Sequence, residues 1–288
     1  MRRILLSKQI PVISLLTGAT VWGLIWYPYR VLDAQGMAGW LSLTLSYLAA
    51  LVPSLLLFGK RIASGGFSWL LAGIGLTAGL CNIGYVLAMI EGEVMRVLLL
   101  FYMAPFWTVL LSRMLLGERL GGAGWLVILC ALAGAVVMLW RPGSGPFFPH
   151  DRAQWLGLAA GFMFALSNVL AKRGQDLAIE ARSASVSAGV VAAGLVLALF
   201  HPAGSWRADG VSLLLIGLMG VAIFAVNVIM QYGLSNTPAN RAIVILLFEL
   251  VVAAISSYVL AGESMSLQEW VGGAMIISAS LLSGKIEG

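Results

Sequence analysis

The sequence predicts an all-α integral membrane protein of ten transmembrane helices, arranged as two inverted five-helix repeats (5+5). Three observations carry that prediction. The 288 residues are 60% hydrophobic and only 10% charged, with a mean hydropathy of +0.97; this leaves too little polar surface for a water-soluble domain of the same size. Polar or glycine–proline breaks divide the chain into ten apolar stretches, each near the ~20 residues a helix needs to cross a bilayer. The chain also matches itself: Gly75 falls on Gly220, Asn82 on Asn227, and Trp125 on Trp270 at one common offset of 145.

The spans, in order, are expected at 10–32, 37–58, 67–90, 94–115, 121–140, 153–171, 183–200, 211–234, 240–260 and 267–284. The amino terminus, MRRILLSKQIPVISLLTG, has a basic start, but its apolar run continues to about Leu32 without a small-residue cleavage site. It reads as a retained first span. The one long connector, RPGSGPFFPHDR at 141–152, separates five spans from five, giving a first repeat at 1–140 and a second at 153–285. The closing GKIEG resembles a remnant of a protease-recognition site and carries no functional weight. Cys81 and Cys130 both fall inside apolar runs and read as packing residues.

Orientation follows from the basic residues. With the amino terminus inside, one face collects Arg2, Arg3, Lys8, Lys60, Arg61, Arg113, Arg119, Lys172, Arg173, Arg182, Arg241 and Lys285, and the other collects Arg30, Arg96, Arg141, Arg152 and Arg207. Twelve of the seventeen on one side place both termini in the cytoplasm.

The offset of 145 also pairs Arg96 with Arg241, Leu115 with Leu260, and Gly117-Glu118 with Gly262-Glu263; at 143, Gly18 meets Gly161 and Arg30 meets Arg173. Because five is odd, two copies in series enter the membrane in opposite senses. That inverted arrangement is found in many secondary transporters. The stretches ATVWGLIWYPYR, LLFYMAPFWTVLLSRMLLGERL and TPANRAIVILLFELVVAAISSYVLAGE resemble the EamA-type drug/metabolite transporter superfamily, along nearly the whole chain. The most specific parts are Trp22-Gly23, Ala104-Pro105 and the two Gly-Glu span ends. The resemblance implies a ten-helix carrier of the bacterial inner membrane, like exporters of amino acids and other metabolites, of the aromatic amino acid exporter type. It also implies a cavity among spans 1, 3, 4, 6, 8 and 9. Many relatives have Glu-Pro in span 9, whereas here Glu249 precedes Leu250, which puts a hinge in that helix in doubt.

Trp22, Trp26 and Tyr29 follow helical spacing on span 1, with Pro28 among them as a kink. Asn82, Tyr85 and Met89 share a face of span 3. Tyr102 and Phe106, at i and i+4 around Pro105, share one of span 4. Ser167, Asn168, Asn227 and Gln231 place hydroxyl and amide groups within the bilayer depth, where each must find a partner or a wet cavity. Singly, such an amide is as readily a tie between helices; together with the aromatic faces they suggest a central site. Of the twelve acids, Glu249 alone lies near the middle of a span, at a cost of roughly 2.5–3.5 kcal/mol on insertion scales. It reads in three ways: a protonated, hydrogen-bonded acid, a contact for a substrate amino group, or the carrier of a coupling proton.

The candidate substrate-binding residues are therefore Trp22, Trp26, Asn82, Tyr85, Tyr102, Phe106, Asn168, Asn227, Gln231 and Glu249, with Pro28 and Pro105 as candidate hinges. No Lys or Arg is placed in mid-span, which argues against phosphorylated substrates. A neutral, zwitterionic or cationic small molecule fits, and aromatic or bulky apolar amino acids fit well. Trp40, Trp69, Trp125, Trp140, Trp155, Trp206 and Trp270 lie near span ends and read as interfacial anchors. Gly73, Gly75 and Gly79, and the stretch SASVSAGVVAAG at 183–194, read as sites of close helix contact. The Gly-Glu ends read as helix stops whose acids bond backbone donors or cap the next helix. No motif for an intramembrane enzyme is present; no catalytic residue, metal or cofactor is expected. The expected partners are a small-molecule substrate and the lipid bilayer, with no nucleic acid, in a monomer either coupled to protons or uncoupled. An importer of a similar solute and a small-solute channel remain as alternatives.

Overall fold

The structure, a computed structural model, describes residues 2–66, 68–92, 94–140, 148–201, 204–262 and 265–284. Most of the connector at 141–152 lies outside the described residues, as do Glu263 and Lys285. Among the described residues, thirteen α-helices form ten segments that correspond to the expected spans. Span 1 is α1 (Arg2–Leu24) with α2 (Trp26–Ala34), span 2 is α3 (Gly39–Ser64) and span 3 is α4 (Trp69–Glu91). Span 4 is α5 (Val94–Phe101) with α6 (Ala104–Leu115), and span 5 is α7 (Gly122–Leu139). Spans 6, 7 and 8 are α8 (Arg152–Arg173), α9 (Ile179–Leu197) and α10 (Gly210–Asn236). Span 9 is α11 (Ala239–Leu246) with α12 (Phe248–Ala261), and span 10 is α13 (Leu267–Leu282). Nine of these segments are long and apolar enough to cross a membrane, and α13 is a shorter apolar helix. Among the described residues the one strand-like feature is an isolated bridge between Met37 and Gly204.

Four of the helices begin where a capping side chain satisfies a first backbone donor. Ser68 accepts from the Leu70 N–H at the start of α4, and Asp151 from the Gln154 N–H at the start of α8. Asp209 with Ser212, and Ser266 with Glu269, form reciprocal capping boxes on α10 and α13. The Ser212 hydroxyl and N–H hold the Asp209 carboxyl below its ordinary range. Spans 4 and 9 end alike: Gly117 and Gly262 are both left-handed, at φ 72° and 68°, a conformation a residue with a Cβ adopts at a cost.

Packing runs mainly between the halves. Span 3 lies against spans 6 and 7, while span 8 lies against spans 1 and 2; span 4 meets span 6, and span 9 meets span 1. Spans 2 and 7, and spans 5 and 10, pair with each other. Exchanging each span for the one five places away maps this set onto itself, the signature of inverted repeats. Small residues allow the closest approaches. A Cβ on Gly75 would stand 2.7 Å from the Ser185 carbonyl, and one on Gly189 would collide with the Gly75 backbone.

Contacts between span ends respect the expected alternation. Arg61 pairs with Glu180 at 3.0 Å, and the Lys172 Nζ donates to the Ser235 carbonyl. At the opposite face Arg152 pairs with Glu91 at 3.6 Å, and the Gln268 amide donates to the Val137 and Trp140 carbonyls. Trp69, Trp125, Trp140, Trp155 and Trp270 are exposed on the bundle surface, as anchors should be. Trp40 is not: it is buried in the first turn of α3.

Candidate functional site

Three spans are broken, and the breaks set out the interior. In span 1 the helix stops at Leu24 and restarts at Trp26. Pro28 stands four residues after Leu24, where it supplies no N–H and its ring crowds that carbonyl. In span 4, Pro105 does the same to Phe101, and the helix stops there and resumes at Ala104. The Met103 N–H turns to the Leu100 carbonyl instead, at 3.3 Å, a 3₁₀-type bond. The Phe101 carbonyl lies against Gly161 of α8, where a Cβ would collide with it.

Span 9 breaks at Leu247, the residue offset by 145 from Tyr102. The absence of proline after Glu249 therefore does not preserve a continuous helix. The Leu250 N–H bonds the Leu247 carbonyl at 3.0 Å, again a three-residue reach. The two halves of span 9 are held from outside, by contacts at the start of α11 and at Glu249.

At Glu249 the two equivalent breaks meet. The Tyr102 hydroxyl donates to Glu249 Oε1 at 2.9 Å. Tyr102 is buried, whereas Glu249 keeps partial exposure. Cys81 and Tyr85 of α4 lie within electrostatic reach of that carboxyl. Phe101 makes edge contacts with Tyr85 and Tyr102, at centroid distances of 5.1 and 5.2 Å, and packs beside Phe164 of α8 at 5.5 Å. Spans 3, 4, 6 and 9 thus place four aromatic rings and one acid together.

The other candidates are placed separately. Trp22 donates to the Met230 sulfur at 3.1 Å and stacks on Tyr47. Trp26 donates to Ser256 Oγ at 2.9 Å, and that hydroxyl also bonds the Gly23 carbonyl. Trp22 and Trp26 thus bond different neighbours, on spans 8 and 9. Tyr102 and Phe106 are separated across the second break. Phe106 is 49% exposed and lies in edge contact with Trp107. Asn82 donates to its own helix, at the Ala78 carbonyl. Asn227 reaches Ser187 Oγ only at 3.5 Å, and the buried Asn168 Nδ2 has no hydrogen-bond partner.

One group escaped the sequence reading, and a second was read only in part. Arg182, assigned to a span end, is fully buried in the first turns of α9. It donates to the Ala171 carbonyl at 3.0 Å and to Gln231 Oε1 at 3.3 Å, so Gln231 serves as its partner. The span boundary drawn at residue 183 hid it. The second group surrounds Glu118, whose carboxylate accepts from the Ala239 N–H at 2.7 Å, the Asn240 N–H at 3.2 Å and Asn240 Nδ2 at 2.8 Å. It caps α11, in the other half of the chain, and not the helix that follows it. Asn240 Nδ2 also donates to Ser112 Oγ at 2.8 Å.

These features define the class: a multi-pass helical membrane protein with broken helices crossing at a partly buried acid. Comparison with known proteins adds a family likeness. Residues 152–284 match the EamA-like transporter family. The chain is 29% identical over 201 residues to an uncharacterized transporter of Archaeoglobus fulgidus, covering 69% of this chain and 70% of that protein. It is 32% identical over 170 residues to an uncharacterized protein of Pseudomonas aeruginosa, covering 58% and 57% respectively. A solved structure, titled only as the crystal structure of a protein, superposes with a TM-score of 0.79 over 95% of this chain and 96% of the other, at 18% identity. That likeness shows the fold.

Proposed function

We propose that the chain is a secondary transporter that exports small amphipathic metabolites, with aromatic or bulky apolar amino acids as its substrates, across a bacterial inner membrane by alternating access. The observation that carries this reading is the Tyr102–Glu249 bond, which joins the equivalent interruptions of spans 4 and 9. Discontinuous helices at mid-depth are where such carriers hold substrate. The tyrosine engages Oε1, leaving Oε2 for a substrate ammonium group. Tyr85, Phe101, Tyr102 and Phe164 offer rings to an apolar side chain. A coupling proton, if one is used, would ride on Glu249. Arg182 stands at the end of its span and is bound to Ala171 and Gln231, so no fixed cation favours a phosphate at this depth. The transporter family matched by residues 152–284 supports the class, and the basic residues support cytoplasmic termini.

Proteoliposomes loaded with unlabelled phenylalanine or tryptophan test the reading through uptake of the labelled amino acid. The expected result is saturable counterflow, cut about tenfold or more by Glu249→Gln and less by Tyr102→Phe, in line with about 1.5–3 kcal/mol for a hydrogen bond to a charged group. Flux that neither saturates nor exchanges would make the protein a channel. Counterflow that survives both substitutions would move the site elsewhere.

A further inference from the structure

The inverted repeat supplies an internal control, because each contact in one half has a counterpart offset by 145 residues. At one end of the molecule the counterparts differ. The inner half-helix α11 packs against α6, α7 and α8. The equivalent partners of α5 would be α12, α13 and α1, and α5 makes no comparable contact with them among the described residues. Burial differs in the same sense. Thr108 and Ser112 of α6 are 1% and 0% exposed, whereas Ala253 and Ser257, their counterparts on α12, are only partly buried. Polar bonds reinforce the packed end: Glu118, Asn240 and Ser112 are tied together across the halves where α6 meets α11.

We infer that the structure is the form closed at the Glu118 end and open at the opposite end, and that the Glu118–Asn240–Ser112 cluster is the latch that holds it closed. Glu118 suits this role because it binds the first N–H groups of α11, where the helix dipole favours an anion. The bonds join the loop after α6 to the start of α11, so separating those two half-helices breaks them together. In the reciprocal form α5 would take the packed position and α11 the loose one, with the latch open. This rests on the alternating-access reading for its purpose, but its geometry is tested without any substrate.

The test uses the full chain with Cys81→Ala and Cys130→Ala, bearing either Thr108→Cys or Ala253→Cys. Reaction with a membrane-impermeant maleimide is followed in detergent. With the latch intact, Ala253→Cys is expected to react fast and Thr108→Cys slowly. Adding Glu118→Ala, or Asn240→Asp to set two carboxylates against each other, is expected to speed labelling at position 108 about tenfold and to slow it at position 253. Monodisperse elution and an unchanged helical spectrum establish that each variant is folded. An unchanged rate at position 108 in either folded variant overturns the latch. A rise there without the fall at position 253 is local fraying and overturns the exchange of forms. Failed counterflow with these labelling shifts present would reject the amino acid reading and leave the latch standing.

Discussion

Arg182 shows how much one side chain can hold. It joins spans 6, 7 and 8 by donating to the last turn of α8 and to Gln231 of α10, while its Nε and Nη2 are buried without partners. A charge in that position is costly, and its removal acts in two ways. Arg182→Ala leaves a void and deprives two acceptors of their donor, at about 2–4 kcal/mol. Arg182→Met fills the space without a charge, and buried ionic groups replaced by well-packed apolar ones often cost little. Thermal unfolding in detergent should therefore rank wild type and Met close together, with Ala clearly lower. An Ala variant as stable as wild type would contradict the bracing role. This residue was invisible in sequence because hydropathy puts the start of span 7 after it; burial from neighbouring helices is not written in α9 itself.

At the scale of elements, the breaks in spans 4 and 9 carry the most information. Pro105 announces the first. The second has no local marker, since Leu247 and Leu250 belong to an ordinary apolar run; only the offset to Tyr102 points to it. The structure thus separates the cause of the break from proline. Proline is tolerated in a first helical turn and costs about 3 kcal/mol or more in a helix interior. Leu250→Pro, which copies Pro105 into the second half at the start of α12, should lower the melting temperature less than Ile255→Pro, in the middle of α12. Equal losses would mean that α11 and α12 behave as one uninterrupted helix. The ten spans, their order and the paired Gly-Glu stops were legible from spacing and self-similarity. The surroundings of the aromatic faces were not, because neighbouring spans decide which ring is covered, as buried Tyr102 and half-exposed Phe106 demonstrate. Trp40 also departed from expectation, since proximity to a span end does not reveal how deeply a ring is buried.

For the whole molecule, the distribution of basic residues and the pairing of span ends make one joint prediction. Lys60 and Arg207 lie at ends of opposite sense, and the first belongs to the basic-rich face. In the cysteine-free background, Lys60→Cys should react with impermeant reagent only from the cytoplasmic side, and Arg207→Cys only from outside. Reaction of both from one side would break the alternation on which the inverted architecture depends. Glu249 was legible as the single mid-span acid, and Tyr85 and Tyr102 as candidate aromatic residues on other spans. Their convergence required the fold, because three separate spans supply them and no spacing along the chain relates them.

The bare contact between Gly75 and Gly189 has its own consequence. With no side chain at either glycine, the backbones of spans 3 and 7 touch there, leaving no rotamer at that point to absorb a sliding motion. The contact favours travel of the two spans as a single strut, and a methyl group at position 189 would wedge it apart whichever way the bundle faces.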